Sequence, residues 1–121
     1  METMTLNEYP QAIAELERQL LEIDQRIISQ KEQVTFCLNC IDRTIAFNQE
    51  LKNDSQRKAE RNRLMETDSD YIKAGLGLRR SEAIRAEMAI DLNLLSRTFS
   101  LLKLERREAI ARLELNSSLA A

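Results

Sequence analysis

One pair of side chains has a spacing known from metal and redox sites, Cys37-Leu38-Asn39-Cys40. A structural zinc ion takes four ligands, whereas this motif supplies two thiolates. Thioredoxin-like motifs stand where a strand leads into a helix, but the residues around this pair repeat with a helical period. We therefore interpret both cysteines as small apolar fillers of a helix face. The alternative left open is a metal ion shared between two subunits.

Other catalytic patterns are incomplete. The chain has no histidine, which is the side chain most often used for acid–base catalysis near neutral pH and which di-metal helical bundles require. Gly75-Leu76-Gly77 lacks the third glycine and the preceding strand of a dinucleotide fingerprint. Asp68-Ser69-Asp70 lacks the glycine and terminal glutamate of a calcium loop. The sequence thus predicts a protein that is not an enzyme and has no catalytic, cofactor-binding or metal-binding residues.

Positive charge is concentrated in the middle of a chain whose net charge is −2. Residues 1–51 carry 4 basic and 9 acidic side chains, residues 52–85 carry 9 and 6, and residues 86–121 carry 5 and 5. A candidate nucleic-acid or anion patch consists of Lys52, Arg57, Lys58, Arg61, Arg63, Arg79 and Arg80. Guanidinium groups bind phosphate in a bidentate manner, but the patch has no aromatic residue for base stacking and the pI is 5.3. A solvated segment of mixed charge is the simpler interpretation.

The elements that carry these residues are helical. With 121 residues, one proline, two glycines and 31% charged residues, the chain fits one all-α domain of long solvated helices. The longest interior run without charge covers nine residues, 33–41, whereas a membrane span needs about 20. We therefore expect a cytoplasmic protein without membrane contact. The predicted single domain, 1–121, contains a helix at 7–52, a polar connection at 53–69 (loop, or a short helix at 57–66), a helix at 70–115 and a frayed tail at 116–121.

The first helix has one apolar face, because its apolar residues recur at gaps of three and four. They are Ile13, Leu16, Leu20, Ile23, Ile27, Val34, Cys37 and Ile41. Gln30 interrupts this face, and it either fixes the register at some cost in stability or lies at a partly exposed edge. Thr5 or Asn7 is the expected N-cap.

The second long helix carries two neighbouring apolar stripes, which one partner helix cannot cover. Either the connecting segment folds back over the second stripe or another copy of the chain packs there, and the regular stripes favour a homodimer. The predicted oligomer interface is Ile84, Met88, Ile90, Leu94, Leu101 and Leu104. Because both long helices have nearly equal length, we predict an elongated, coiled-coil-like antiparallel hairpin that dimerisation completes as a bundle. At Gly75 and Gly77 we expect a kink, a frayed turn or a close helix crossing.

Around the connection, Leu51-Lys52-Asn53, Gln56-Arg57-Lys58-Ala59, Leu64 and Asp70-Tyr71 form a pattern that resembles short helical proteins of unknown function from phage and other mobile elements of bacteria. Some of those proteins accompany recombination functions, but the family has no activity to transfer. The resemblance implies a turn constellation of Asn53, Arg57, Asp70 and Tyr71. In it, Asn53 would cap or close the turn, Arg57 would pair with Asp68 or Asp70, and Tyr71 would cover the tip.

Two functions from different classes follow. The first is a non-enzymatic helical interaction or assembly module that dimerises through the surplus apolar stripe and offers its surface to an unidentified protein partner. The alternative is a nucleic-acid-associated accessory protein, of phage or recombination type, that places the basic patch on phosphates.

Overall fold

The computed structural model describes residues 4–120, which contain three α-helices, one short 3-10 turn and no strand. The turn covers Leu6–Glu8, α1 covers Tyr9–Ala46, α2 covers Asp54–Thr67 and α3 covers Ser69–Ala120. The predicted all-α class is confirmed for these residues. The two long helices, α1 and α3, pack against each other, and each of them contributes to two compact units. Unit 1 holds residues 4–21 and 86–120, and unit 2 holds residues 22–85.

Unit 2 has a buried row on α1 that follows the predicted apolar spacing. Along α1, Asp24 contacts Arg85 and Gln30 lies beside Gly77, so α1 and α3 run in opposite directions in this unit. Ser81, one helical turn from both Gly77 and Arg85, is buried. The buried apolar residues of this unit are Ile23, Ile27, Cys37, Ile41 and Ile45.

Unit 1 is held by aromatic packing at the start of α1. The ring of Tyr9 stacks on the ring of Phe99, with centroids 5.7 Å apart and planes 6° from parallel. The ammonium of Lys103 lies 4.4 Å from the centre of the Phe99 ring, a cation–π contact. Because α1 begins beside Phe99, it has no further turns to cover the rest of α3 in this unit, and every residue from 103 to 120 is exposed.

The first long helix is shorter than the predicted range of 7–52. Its 3-10 turn begins after Thr5, whose side chain makes no capping hydrogen bond, and regular α-helix starts at Tyr9. At the other end, the carboxamide oxygen of Asn48 accepts a hydrogen bond from the backbone N–H of Glu50 at 3.0 Å. Asparagine bonds of this kind compete with the helical hydrogen-bond pattern, which accounts for the end of α1 at Ala46.

The connecting segment forms a helix that is longer than the predicted 57–66. Asn53 is the N-cap of α2, and its side-chain oxygen accepts a hydrogen bond from the backbone N–H of Gln56 at 2.9 Å. The side-chain oxygen of Gln56 in turn accepts a hydrogen bond from the backbone N–H of Lys52 at 2.6 Å. These two reciprocal bonds resemble a capping box and explain why α2 begins as early as Asp54.

The second long helix begins at Ser69 and runs past the predicted end at residue 115. Asp68 ends α2, and its backbone N–H donates a hydrogen bond to the Leu64 carbonyl. The carboxylate of Asp68 caps the start of α3, because it accepts a hydrogen bond from the backbone N–H of Tyr71 at 2.8 Å. Gly75 and Gly77 lie inside the helix. No glycine or proline follows Gly77, and α3 therefore continues through residues 116–120, where a frayed tail is predicted; residue 121 lies outside the described residues.

None of the helices within residues 4–120 combines the length and the apolarity that a membrane span requires.

Candidate functional site

An exposed apolar row that the sequence predicted lies on α3 in unit 1. We call the row formed by Ile90, Leu94, Leu101 and Leu104 the outer face. These side chains are 67%, 64%, 55% and 52% exposed, respectively. Large apolar side chains that line up on one helix face and remain more than half exposed are typical of a surface that binds another protein.

The outer face is distinct from the stripe of α3 that lies toward α1. Leu95 and Leu102 are half-buried, whereas Leu94 and Leu101, their immediate neighbours, are exposed. Successive residues of an α-helix point about 100° apart, so the two rows occupy adjacent faces. A single helix, α1, covers one row and leaves the other open.

The structure divides the six predicted interface residues into two groups. Four of them form the outer face. Met88 is half-buried, and Ile84, which belongs to unit 2, is 37% exposed. Among the six predicted interface residues, the four between 90 and 104 are therefore the most exposed.

Exposed apolar side chains on α1 have a different arrangement. Leu21, Ile28 and Phe36 are exposed in one row of this helix, but Gln25 and Glu32 lie between them in that row and separate each from the next. Single apolar residues flanked by polar ones are ordinary on a protein surface, so they do not form a second docking face.

Three arginines of the predicted basic patch are engaged with carboxylates. Arg57 contacts Asp54 at 3.1 Å and Arg61 contacts Asp42 at 2.7 Å. Arg63 bonds to Glu60, with its Nε 3.0 Å from Oε1. Each pair removes one of the positive charges that the patch would offer to a phosphate.

The other four cations of the patch, Lys52, Lys58, Arg79 and Arg80, are exposed. None of them forms an ion pair with a residue between 4 and 120. An anion-binding surface in this protein would therefore depend on these four side chains.

The predicted turn constellation is only partly present. Asn53 is the N-cap of α2. The prediction for Arg57 is wrong, because it pairs with Asp54 instead of Asp68 or Asp70. Residues three positions apart on a helix are neighbours, which puts Asp54 within reach without a long-range contact. Tyr71 is half-buried, and its backbone N–H is bound by Asp68.

Both cysteines line an open cleft of about 440 Å³ in unit 2. The cleft is bordered by Gln30, Gln33, Phe36, Cys37 and Cys40 from α1, and by Asp68, Asp70, Lys73, Ala74 and Gly77. Cys37 is buried and accepts a weak hydrogen bond from the amide of Gln33 at 3.7 Å, while Cys40 is exposed.

The chemistry of this cleft is limited. Within residues 4–120, no three cysteine, aspartate or glutamate side chains lie close enough together to hold a metal ion. Asp68 is already used as a helix cap. The cleft therefore brings together the thiols of Cys37 and Cys40, the Asp70 carboxylate and the Lys73 ammonium.

Gln30 lies where the cleft meets the α1–α3 contact of unit 2. Its amide nitrogen is 3.5 Å from the position that a Cβ on Gly77 would occupy, an ordinary van der Waals distance, so the Gln30 side chain lies beside α3 at this residue. Its carbonyl oxygen is buried and has no hydrogen-bond partner among residues 4–120. Gln30 as a whole is half-buried, as the edge interpretation expects, whereas its buried oxygen carries the energetic cost that the other interpretation expects.

Ion pairs on the surface lower the pKa of a carboxyl group and raise the pKa of a guanidinium group. The hydrogen bond from Arg63 lowers the pKa of Glu60 below its ordinary value of 4.5. The hydrogen bond and the charge of Asp24 raise the pKa of Arg85, which stays protonated at any physiological pH. None of these groups has the pKa near neutrality that an acid–base catalyst needs.

Sequence reasoning missed the Asp24–Arg85 pair and the cleft. Both depend on how α1 is aligned with α3 in unit 2, and the apolar repeat of each helix is compatible with several alignments. The one local signal was the pair of glycines, which predicted a kink, a frayed turn or a close helix crossing. α3 is continuous through both glycines, and the Gln30 side chain lies beside Gly77.

Comparison with known proteins gives no match: no family model fits the chain, and no curated protein or solved structure matches it. The resemblance to proteins of phage and mobile elements therefore stays a prediction.

Proposed function

We propose that this protein is a non-enzymatic helical assembly module that binds a second copy of itself through the outer face of α3. The observation that carries the proposal is the exposed row of Ile90, Leu94, Leu101 and Leu104. A buried aliphatic side chain contributes about 1.5–3 kcal/mol relative to an exposed one. In the single chain, less than half of the surface of each of these four residues is buried.

Two features favour a second copy of this chain as the partner. Residues 86–121 carry 5 basic and 5 acidic side chains, so this segment does not repel an identical one. In a two-fold dimer each residue of the face is also used twice. A short row of four apolar residues then gives eight buried side chains in the interface.

The nucleic-acid alternative has weaker support. Of the seven cations predicted to contact phosphate, Arg57, Arg61 and Arg63 are paired with carboxylates. Phosphate binding would have to displace those carboxylates or rely on the other four cations. If duplex or single-stranded DNA does bind, its affinity will fall steeply with salt, and Arg79→Ala will weaken binding without altering the oligomeric state.

The proposal is tested by sedimentation equilibrium on the whole chain. We expect a mass of about 28 kDa, twice the 14.0 kDa of one chain. Leu94→Glu with Leu101→Glu should give a monomer, because the new carboxylates would be buried unpaired at the dimer contact.

The matched control is Ile110→Glu with Leu113→Glu. It adds the same charge to the same helix at exposed apolar positions outside the outer face, and it should leave the dimer intact. Far-UV circular dichroism checks that all variants remain helical. A wild-type monomer at every accessible concentration, or equal effects of the two double substitutions, would rule the proposal out.

A further inference from the structure

The outer face belongs to a longer regular repeat on α3. Eight exposed positions follow one another at alternating gaps of four and three. They are Ile90, Leu94, Arg97, Leu101, Leu104, Glu108, Ala111 and Leu115. An average spacing of 3.5 residues is the repeat of a two-stranded coiled coil. Six of the eight positions are apolar, and the two exceptions carry opposite charges.

The order of these eight residues is self-complementary when one copy is reversed. Counted from the first position, the third residue is Arg97. Counted back from the last position, the third residue is Glu108. In an antiparallel pair with full overlap, Leu101 of each chain lies opposite the partner's Leu104, and Arg97 lies opposite the partner's Glu108.

We infer that the dimer is an antiparallel, two-fold α3–α3 pair in this one register. The inference rests on the proposed function and specifies its geometry. It assigns to Arg97 and Glu108 the role of fixing the direction and the alignment of the two helices, because each dimer contains this charged layer twice.

Other arrangements of the same repeat are worse. A parallel pair in register puts Arg97 against Arg97 and Glu108 against Glu108, two repulsive layers inside the contact. An antiparallel pair shifted by one heptad puts Arg97 opposite an apolar residue, either Leu101 or Leu115, and likewise leaves Glu108 without a cation. An uncompensated charge in a helix contact is strongly unfavourable.

The residues that flank the contact agree with the same register. Asp91 comes beside the partner's Arg112, which gives a second type of opposite-charge pair. Glu105 comes beside the partner's Thr98, and Arg107 comes beside the partner's Ser100. No like charges are brought together, and flanking charges of this kind set the partner and orientation of coiled coils.

A charged pair within a largely apolar contact contributes little to affinity but discriminates strongly between registers. Arg97 and Glu108 are both exposed in the single chain, so neither has a role in the packing of unit 1. Their placement in an otherwise apolar repeat is explained by pairing between chains.

Charge reversal tests the register. Arg97→Glu and Glu108→Arg, made separately, should each raise the dimer Kd by about 100-fold or more, because like charges then face each other in two layers. The double variant with both reversals restores the pairs and should return the Kd to within about tenfold of the wild-type value. Leu113→Glu provides a control for added charge outside the repeat.

Cysteine cross-linking tests the direction. In a chain carrying Cys37→Ala and Cys40→Ser, Leu94→Cys and Ala111→Cys are made in separate preparations. In the antiparallel register, two copies of residue 94 are about 25 Å apart along the helix axis, so neither preparation should form disulfide dimers alone. An equimolar mixture, denatured and refolded together, should form them.

The outcomes separate this inference from the proposed function. Disulfide dimers from the Leu94→Cys preparation alone would overturn the antiparallel register. So would a double charge reversal whose dimer Kd stays as high as that of the single variants. In either case a wild-type mass of about 28 kDa would still support the assembly module. A wild-type chain that sediments at 14.0 kDa removes both.

Discussion

Unit 2 and unit 1 use the same kind of helix with different results. In unit 2, five apolar residues of α1 are buried within one chain, and the Asp24–Arg85 and Asp42–Arg61 pairs join its helices. In unit 1, Tyr9 is the only apolar residue among those described that is buried. The rest of its apolar surface on α3 is half-buried or exposed.

The difference shows what an amphipathic helix does when its partner helix ends. A helix with one apolar stripe is satisfied by one neighbour, whereas the section of α3 from residue 90 to 115 carries two stripes and has at most one neighbour in its own chain. Unit 2 is therefore the part whose core the chain supplies itself, and unit 1 is the part that a second chain would complete under the proposed function.

The largest effect should come from the core of unit 2. Ile41→Ala removes a side chain that is 4% exposed and should lower the free energy of unfolding by about 2–4 kcal/mol. Ile90→Ala, at an exposed position of unit 1, should change it by less than about 0.5 kcal/mol at low protein concentration. Urea denaturation measures both, and similar losses for the two variants would contradict the contrast between the units.

A smaller effect of opposite sign is expected at Gln30. Gln30→Leu replaces a buried carbonyl oxygen that has no hydrogen-bond partner in the described part of the chain, and it should raise the free energy of unfolding by about 1–2 kcal/mol. Gln33→Leu, on the exposed side of the same helix, serves as the control and should have an effect within about 0.5 kcal/mol. Destabilisation by Gln30→Leu alone would show that the Gln30 carbonyl has a hydrogen-bond partner.

Loss of the α2 cap should affect α2 locally. Asn53→Ala removes the bond to the Gln56 N–H and should lower the free energy of opening of α2 by about 1 kcal/mol. Amide hydrogen exchange across 54–67 reports this opening, and Ser55→Ala is the control in the same turn. Equal exchange in the two variants would mean that Asn53 does not stabilise the start of α2.

The smallest effect should appear at acid pH. The pKa of Glu60 is lowered in the folded chain by the Arg63 hydrogen bond, so the pair stabilises the fold above the ordinary carboxyl pKa and the contribution is lost as the pH falls through the lowered value. Glu60→Gln should therefore shift the urea midpoint slightly at pH 7, with the wild type and the variant converging at pH 2. A shift that is unchanged at pH 2 would show that ionisation of Glu60 is not its source.

Much of the fold could be predicted from the sequence because helical periodicity is local. The apolar repeat places Ile23, Ile27, Cys37 and Ile41 on one face, and all four are buried. The outer-face residues were likewise set apart by their spacing. In both cases the signal is the position of a side chain around one helix axis, which needs no knowledge of the rest of the molecule.

Features that depend on local competition or on helix alignment could not be predicted. The side chain of Asn48 ends α1 by accepting a hydrogen bond from the backbone N–H of Glu50. Residues 49–52 are good helix formers, so the composition gives no sign that the helix ends before them. The pairing of Arg57 was predicted wrongly because the resemblance implied a contact with Asp68 or Asp70, whereas the i, i+3 spacing on one helix already made Asp54 the local partner. The pair between Asp24 and Arg85 requires the register of α1 and α3.

Concentration-dependent hydrogen exchange tests the central claim most directly, because it compares the two units in one sample. At about 1 μM and at about 200 μM, residues 22–85 should show equal protection, whereas the amides of residues 90–115 should become more protected at the higher concentration as the outer face is covered. Protection of residues 90–115 that does not change with concentration, in a chain that sediments as a monomer at both, would contradict the account.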